Sequence, residues 1–188
     1  RDAHLVGRHT SETLTDGLEG TWRHVRFRLA KATLRRSKSG ETGSETVFSG
    51  LLMSVETPRP MPFVVFLSEV GGVLRGLRRT FLLPDSLQPL EFPDPEVEAT
   101  FEAYAEDPDA AWQALSPRFG RTLLAIARAH GGGGRVRAAF SGKRFLLALP
   151  RHEPFFPLAA FNRTDAQVAE ACRQTLGDLR LPREVIDL

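Results

Sequence analysis

Phe63-Val64-Val65-Phe66-Leu67 is apolar at every position, so it reads as a central strand covered on both faces by helices or a second sheet. Upstream, Val25, Phe27 and Leu29 alternate with Arg26, Arg28 and Ala30, the period-two pattern of a half-buried strand. Residues 37–46 hold only small and polar groups and read as a hairpin loop. Val47, Leu51, Met53 and Val55 then resume the period, and Pro58 and Pro60 are expected to stop it, because proline cannot donate to a ladder. A second strand thus returns on the first.

Downstream of the apolar run, Val70, Val73, Leu74, Leu77 and Phe81 recur at helical spacing opposite Arg75, Arg78 and Arg79. Gly71, Gly72 and Gly76 weaken that helix by about 1 kcal/mol each relative to alanine. Leu90–Phe92 and Thr100–Ala105 are short-strand candidates, while Asp107-Pro108 and Ser116-Pro117 each read as a helix start. The second of these helices is expected to run to His130 and to stop at Gly131–Gly134. Val136, Ala138 and Phe140, then Ser141-Gly142, then Phe145, Leu147 and Leu149, predict a hairpin. Thr164 and Gln167 form a capping-box pattern for a last helix, expected to end at Gly177. The fold class is therefore α+β: a single domain with a mostly antiparallel sheet packed with several helices. Residues 1–17 are expected to be a poorly ordered N-terminal segment, 18–161 the α+β domain, and 162–188 a C-terminal helix and tail.

Composition agrees with one globular domain: 188 residues, 41% hydrophobic and 26% charged. No apolar run approaches the roughly 20 residues that cross a bilayer. The lone cysteine, Cys172, excludes an internal disulfide, fits a reducing compartment, and reads as a small buried residue of the last helix. A net charge of +2 is too small for binding nucleic acid by bulk electrostatics. The charge is uneven, however: residues 1–88 carry 13 basic and 9 acidic groups, net +4.

No motif of nucleophile, metal or phosphate chemistry occurs: G-x-S-x-G, H-E-x-x-H, a P-loop and a helix-opening G-x-G-x-x-G are all missing. His4, His9, His24, His130 and His152 are scattered, and His24 reads as a surface histidine. Asp94, Glu96 and Glu98 offer carboxylates for a divalent cation, but Pro93 and Pro95 interrupt them and helix-start acids account for the pattern. No catalytic residues, metal site or cofactor are assigned. Arg23, Lys31 and Arg35, and the alternate set Arg26, Arg28 and Arg36, lie along the first long strand, so the sheet face away from the core is expected to carry several cations and could dock on a protein partner or anionic lipid. A nucleic-acid surface would need interleaved stacking aromatics, for which Trp22 is the obvious candidate.

The order Leu18-Glu19-Gly20-Thr21, Thr46-Val47-Phe48-Ser49-Gly50-Leu51-Leu52, Leu90-Glu91-Phe92-Pro93-Asp94-Pro95-Glu96-Val97-Glu98, Phe101, Tyr104-Ala105-Glu106-Asp107-Pro108 and Leu115-Ser116-Pro117 resembles the bacterial domain-of-unknown-function 3137 family over about residues 18–161. Gly50 and Pro95 within these motifs have structural readings too, a close strand approach and a helix start. The resemblance implies a bacterial protein whose soluble part follows membrane helices and lies on the cytoplasmic face of the inner membrane. Arg1 in place of methionine fits a piece of such a longer chain. The family transfers no catalytic residues. The expected function is a non-enzymatic, membrane-tethered cytoplasmic domain that binds a protein partner or an anionic lipid surface, with nucleic acid disfavoured. The alternative is a hydrolase-like enzyme assembled from His130, His152, Glu153 and the acids near Asp94.

Overall fold

The computed structural model describes residues 5–6, 9–37, 43–68, 83–84, 86–131, 135–151 and 164–188. Its elements are β1 (Ser11–Trp22), β2 (Val25–Ser37), β3 (Ser44–Ser68), β4 (Gln88–Leu90), α1 (Pro95–Thr100), β5 (Phe101–Ala105), α2 (Pro108–Ala114), α3 (Phe119–His130), β6 (Arg137–Pro150) and α4 (Asp165–Ile186). The strands form one six-stranded antiparallel sheet in which β3 is central. One edge of β3 pairs with β6 along both of its halves. The other edge pairs with β2 from Ser44 to Val55 and with β5 from Val64 to Ser68. The α+β class and the mostly antiparallel sheet are thus those the sequence indicates.

The apolar run Phe63–Leu67 is the second half of β3, and Val64, Val65 and Phe66 are buried. Its two faces enter different clusters. Val64 and Phe66 join the main core beneath the helices, whereas Val65 packs with Leu5, Leu83, Leu87, Tyr104 and Ala139 on the reverse face. Phe66 has ring neighbours on three sides, with centroids 6.0 Å from Phe92, 4.9 Å from Phe119 and 6.3 Å from Phe140.

Two sequence expectations fail here for one reason. β3 passes through Pro58 and Pro60, and β6 is a single strand, with no hairpin at Ser141-Gly142. The main core takes Leu51, Met53 and Val55 from the first half of β3 but Val64 and Phe66 from the second, a change from odd to even positions. β6 changes phase at the same level, from Ala138 and Phe140 to Phe145, Leu147 and Leu149. Register shifts separate Glu56, Met61 and Val64 opposite this stretch, and Gly142 there has φ +58°. An irregularity that breaks the period lets one strand keep its apolar groups on one face while it bends. Because no β3–β6 register pair falls between Glu56 and Met61, the missing proline N–H groups cost no ladder bond.

Other differences are local. Residues 1–17 include the first part of β1, so the segment expected to be poorly ordered carries strand from Ser11. Arg23 and His24, at φ 47° and 65°, make the tight β1–β2 turn, and His24 is exposed there. α4 has its Thr164–Gln167 capping box but continues through Gly177 and Pro182 to Ile186. Cys172 is exposed, not buried. Ser116 accepts a hydrogen bond from the Arg118 N–H at 3.2 Å, and α3 starts only at Phe119. The helix expected over residues 70–81 and most of the Gly131–Gly134 stretch lie outside the described residues. Among the described residues no helix is long and apolar enough to cross a membrane.

Candidate functional site

A cleft of about 580 Å³ is framed by the segment entering α1, by α2, and by the Leu115–Arg118 connection into α3. Local chemistry fixes each wall. Asp94 caps α1, its Oδ1 accepting from the Glu96 N–H at 3.0 Å, with Pro95 in the first helical turn where a missing N–H costs nothing. Asp107 caps α2 in the same way, accepting from Ala110 at 3.0 Å, again followed by proline. The Phe92 N–H donates to Glu98 Oε2 at 2.8 Å and ties α1 to the end of β4. Gly120 lets α3 approach this layer: a Cβ there would lie 2.9 Å from Val97 and 3.2 Å from the Phe92 ring.

The floor and rim are apolar, with Phe92, Pro93, Pro95, Leu115, Pro117 and Phe119 in the lining. Trp112 stands edge-on to Phe92 at 5.5 Å and is 36% exposed. Two arginines complete the lining, and they differ. Arg121 donates through Nε to Asp94. The hydrogen bond from Arg121, reinforced by the Glu96 N–H, holds the Asp94 carboxyl below the usual carboxylate range, and the same pairing raises the guanidinium. Arg118 makes no ion pair among the described residues, although its backbone accepts from Thr122.

The acids that could have gathered a cation are thereby divided. Asp94 serves α1 and Arg121, Glu96 pairs with Arg128 at 2.6 Å, and Glu98 bonds to Phe92. His130 pairs with Glu184 at 2.8 Å, so it is engaged with α4 and not with these acids. His152 and Glu153 lie outside the described residues. Among the described residues no three His, Cys, Asp or Glu side chains gather as ligands for a metal ion.

The basic strand is likewise not one surface. Arg26, Arg28 and Arg36 share the phase of Ala30, Ala32 and Leu34, while Lys31 and Arg35 share that of Leu29, and Arg23 sits in the turn. Cations at both odd and even positions of a strand divide between its faces, so the two alternate sets do not share one surface. Three of them also have partners: Arg23 with Asp187 at 2.8 Å, Arg28 with Glu19 at 3.2 Å, and Arg36 with Glu45. Trp22 lies 4.4 Å below the Arg183 guanidinium, so its ring is already stacked.

Fold and cleft together define one α+β domain on a bent antiparallel sheet, with a concave, aromatic and proline-rich site beside it. The chain belongs to the family described as "Protein of unknown function (DUF3137)", whose model matches residues 46–188. The match begins in β3 and runs through α4, later at both ends than the resemblance drawn from the motifs. A solved structure, the crystal structure of the mycobacterial trehalose monomycolate transport factor A, TtfA, is similar at 15% identity and a TM-score of 0.44, covering 93% of this chain and 75% of that one. No curated protein matches the chain. Eight of the cleft-lining residues, Phe92, Pro93, Asp94, Pro95, Val97, Leu115, Ser116 and Pro117, come from the motifs that carry the family resemblance. Trp112 and Arg118 were not singled out from sequence.

Proposed function

We propose that the chain is a non-enzymatic binding domain, cytoplasmic and tethered to a membrane by sequence outside it, whose cleft takes an extended, proline- and leucine-rich acidic segment of a partner protein. The observation that carries this reading is the cleft lining itself: Trp112 over Phe92 and three prolines, beside an arginine without a counter-charge. Flat proline and aromatic faces suit a chain in polyproline conformation, which loses little entropy on docking. The Trp112 indole N–H makes no hydrogen bond among the described residues, and an extended backbone offers it carbonyl acceptors that an acyl chain does not. Arg118 supplies charge complementarity for one carboxylate. The tether and the cellular side come from the family resemblance alone.

The test is calorimetric titration with synthetic decapeptides alternating proline and leucine around a central glutamate, with a lysine-centred counterpart and phosphatidylglycerol vesicles as the other arms. The glutamate peptide is expected to bind at least about ten-fold more tightly than the lysine peptide, and Arg118→Glu to reverse that order. Binding to vesicles but to neither peptide would replace the partner-protein reading with a lipid one.

A further inference from the structure

α4 carries a second unpartnered surface, separate from the cleft. Its packed face holds Ala171, Asp178, Leu181, Pro182 and Val185. A different face exposes Val168 (43%), Cys172, Leu176 (57%) and Leu179 (43%), spaced by four, four and three residues. That spacing is one continuous helical stripe. Its two ends are of opposite charge. Asp165, in the first turn, and Arg183, in the last, are 18 residues apart, about five turns of 3.6 residues, so they stand at the same angular position on either side of the apolar row.

We infer that this stripe pairs with the same stripe of a second copy of the chain, the two α4 helices running antiparallel about a two-fold axis near residue 174. Such an arrangement is self-complementary, as an isologous interface must be. Cys172 of one copy lies against Leu176 of the other, Leu179 lies against Ala169, and each Asp165 meets an Arg183. A parallel pair would instead place Asp165 on Asp165 and Arg183 on Arg183. Charge at the ends of the row therefore selects both the partner and its direction. Asp165 makes no ion pair within the chain among the described residues, and Arg183, exposed with its guanidinium over the Trp22 ring, makes none either.

The test uses the full chain and its single cysteine. Sedimentation velocity is expected to show a concentration-dependent species of twice the monomer mass. Across the axis the two Cys172 residues are displaced by about 6 Å along the helices, at an interaxial distance of about 8–10 Å, so a short bis-maleimide should cross-link them. Asp165→Arg and Arg183→Asp should each weaken the dimer by about ten-fold, and the double variant, which restores opposite charges across the axis, should recover it. Leu176→Glu should abolish the dimer while leaving the circular dichroism melt of the monomer in place. A monomer at all concentrations, a dimer that Leu176→Glu leaves intact, or a double variant no better than the singles would overturn the inference. So would a monomer whose stripe instead governs binding to phosphatidylglycerol vesicles.

Discussion

Replacing Gly50 with alanine puts a methyl group into backbone. Gly50 pairs with Pro150 where β3 meets β6, and a Cβ on it would lie 2.8 Å from the Pro150 Cα and 2.9 Å from the Arg151 nitrogen, with the Leu149 carbonyl closer still. None of these atoms is the end of a flexible side chain, so the two strands must separate. Overpacking by a methyl costs about 1–3 kcal/mol, and opening the ladder at this level weakens one or two adjacent hydrogen bonds at about 1 kcal/mol each. The alanine also restricts the unfolded chain, which returns about 0.5 kcal/mol. The net loss is about 2.5 kcal/mol. For a chain of this size each kcal/mol moves the melting temperature by about 2–4 °C, so Gly50→Ala should melt about 5–10 °C lower. Urea unfolding followed by far-ultraviolet circular dichroism at 25 °C should give a lower midpoint with an unchanged slope. A loss below about 1 kcal/mol would show that the strands do not approach here as described, and the β3–β6 register would have to be redrawn.

Gly177→Ala should act in the opposite direction. Gly177 is inside α4 and a Cβ there meets nothing within 4 Å, so thermal melts should show a gain of about 0.5–1 kcal/mol. Arg151→Leu strips the partner from Asp178, which is 3% exposed, and should cost about 3–5 kcal/mol in urea titration, much of it recovered in Arg151→Leu/Asp178→Asn. Asp94, with its carboxyl held low by Arg121, contributes stability that is present above about pH 4 and lost as pH falls through its folded value. Urea midpoints measured from pH 7 down to pH 2 should therefore fall less on acidification in Asp94→Asn than in the parent chain.

Local rules carried the sequence a long way at element starts. Asp107 and Thr164 each cap the helix expected of them, and α1 starts at Pro95 as read, because capping is decided by a side chain two or three residues from its donor. The central place of Phe63–Leu67 was equally plain, since a run apolar on both faces has few other homes. The strand phase was harder. Between Phe140 and Phe145 a hairpin and a bend produce the same change of apolar parity, and only pairing with the equally displaced β3 decides between them. Gly177 looked like a stop because glycine suits helix ends, yet α4 gains enough from burying Leu181, Pro182 and Val185 beyond it to pass through. The cleft was half legible. Its proline and acid motifs stood out, but Trp112 and Arg118 join them only through the packing of α2 and α3 against α1, a tertiary fact with no local signature.

The cleft reading is tested most directly by the emission of Trp112 in a Trp22→Phe background, which leaves one tryptophan in the chain. On titration with the glutamate-centred decapeptide, emission should shift to shorter wavelength and saturate as the indole loses water, and the lysine-centred peptide at the same concentrations should leave it in place. Emission that answers equally to both peptides, or to neither, would contradict the assignment of this cleft as the binding site.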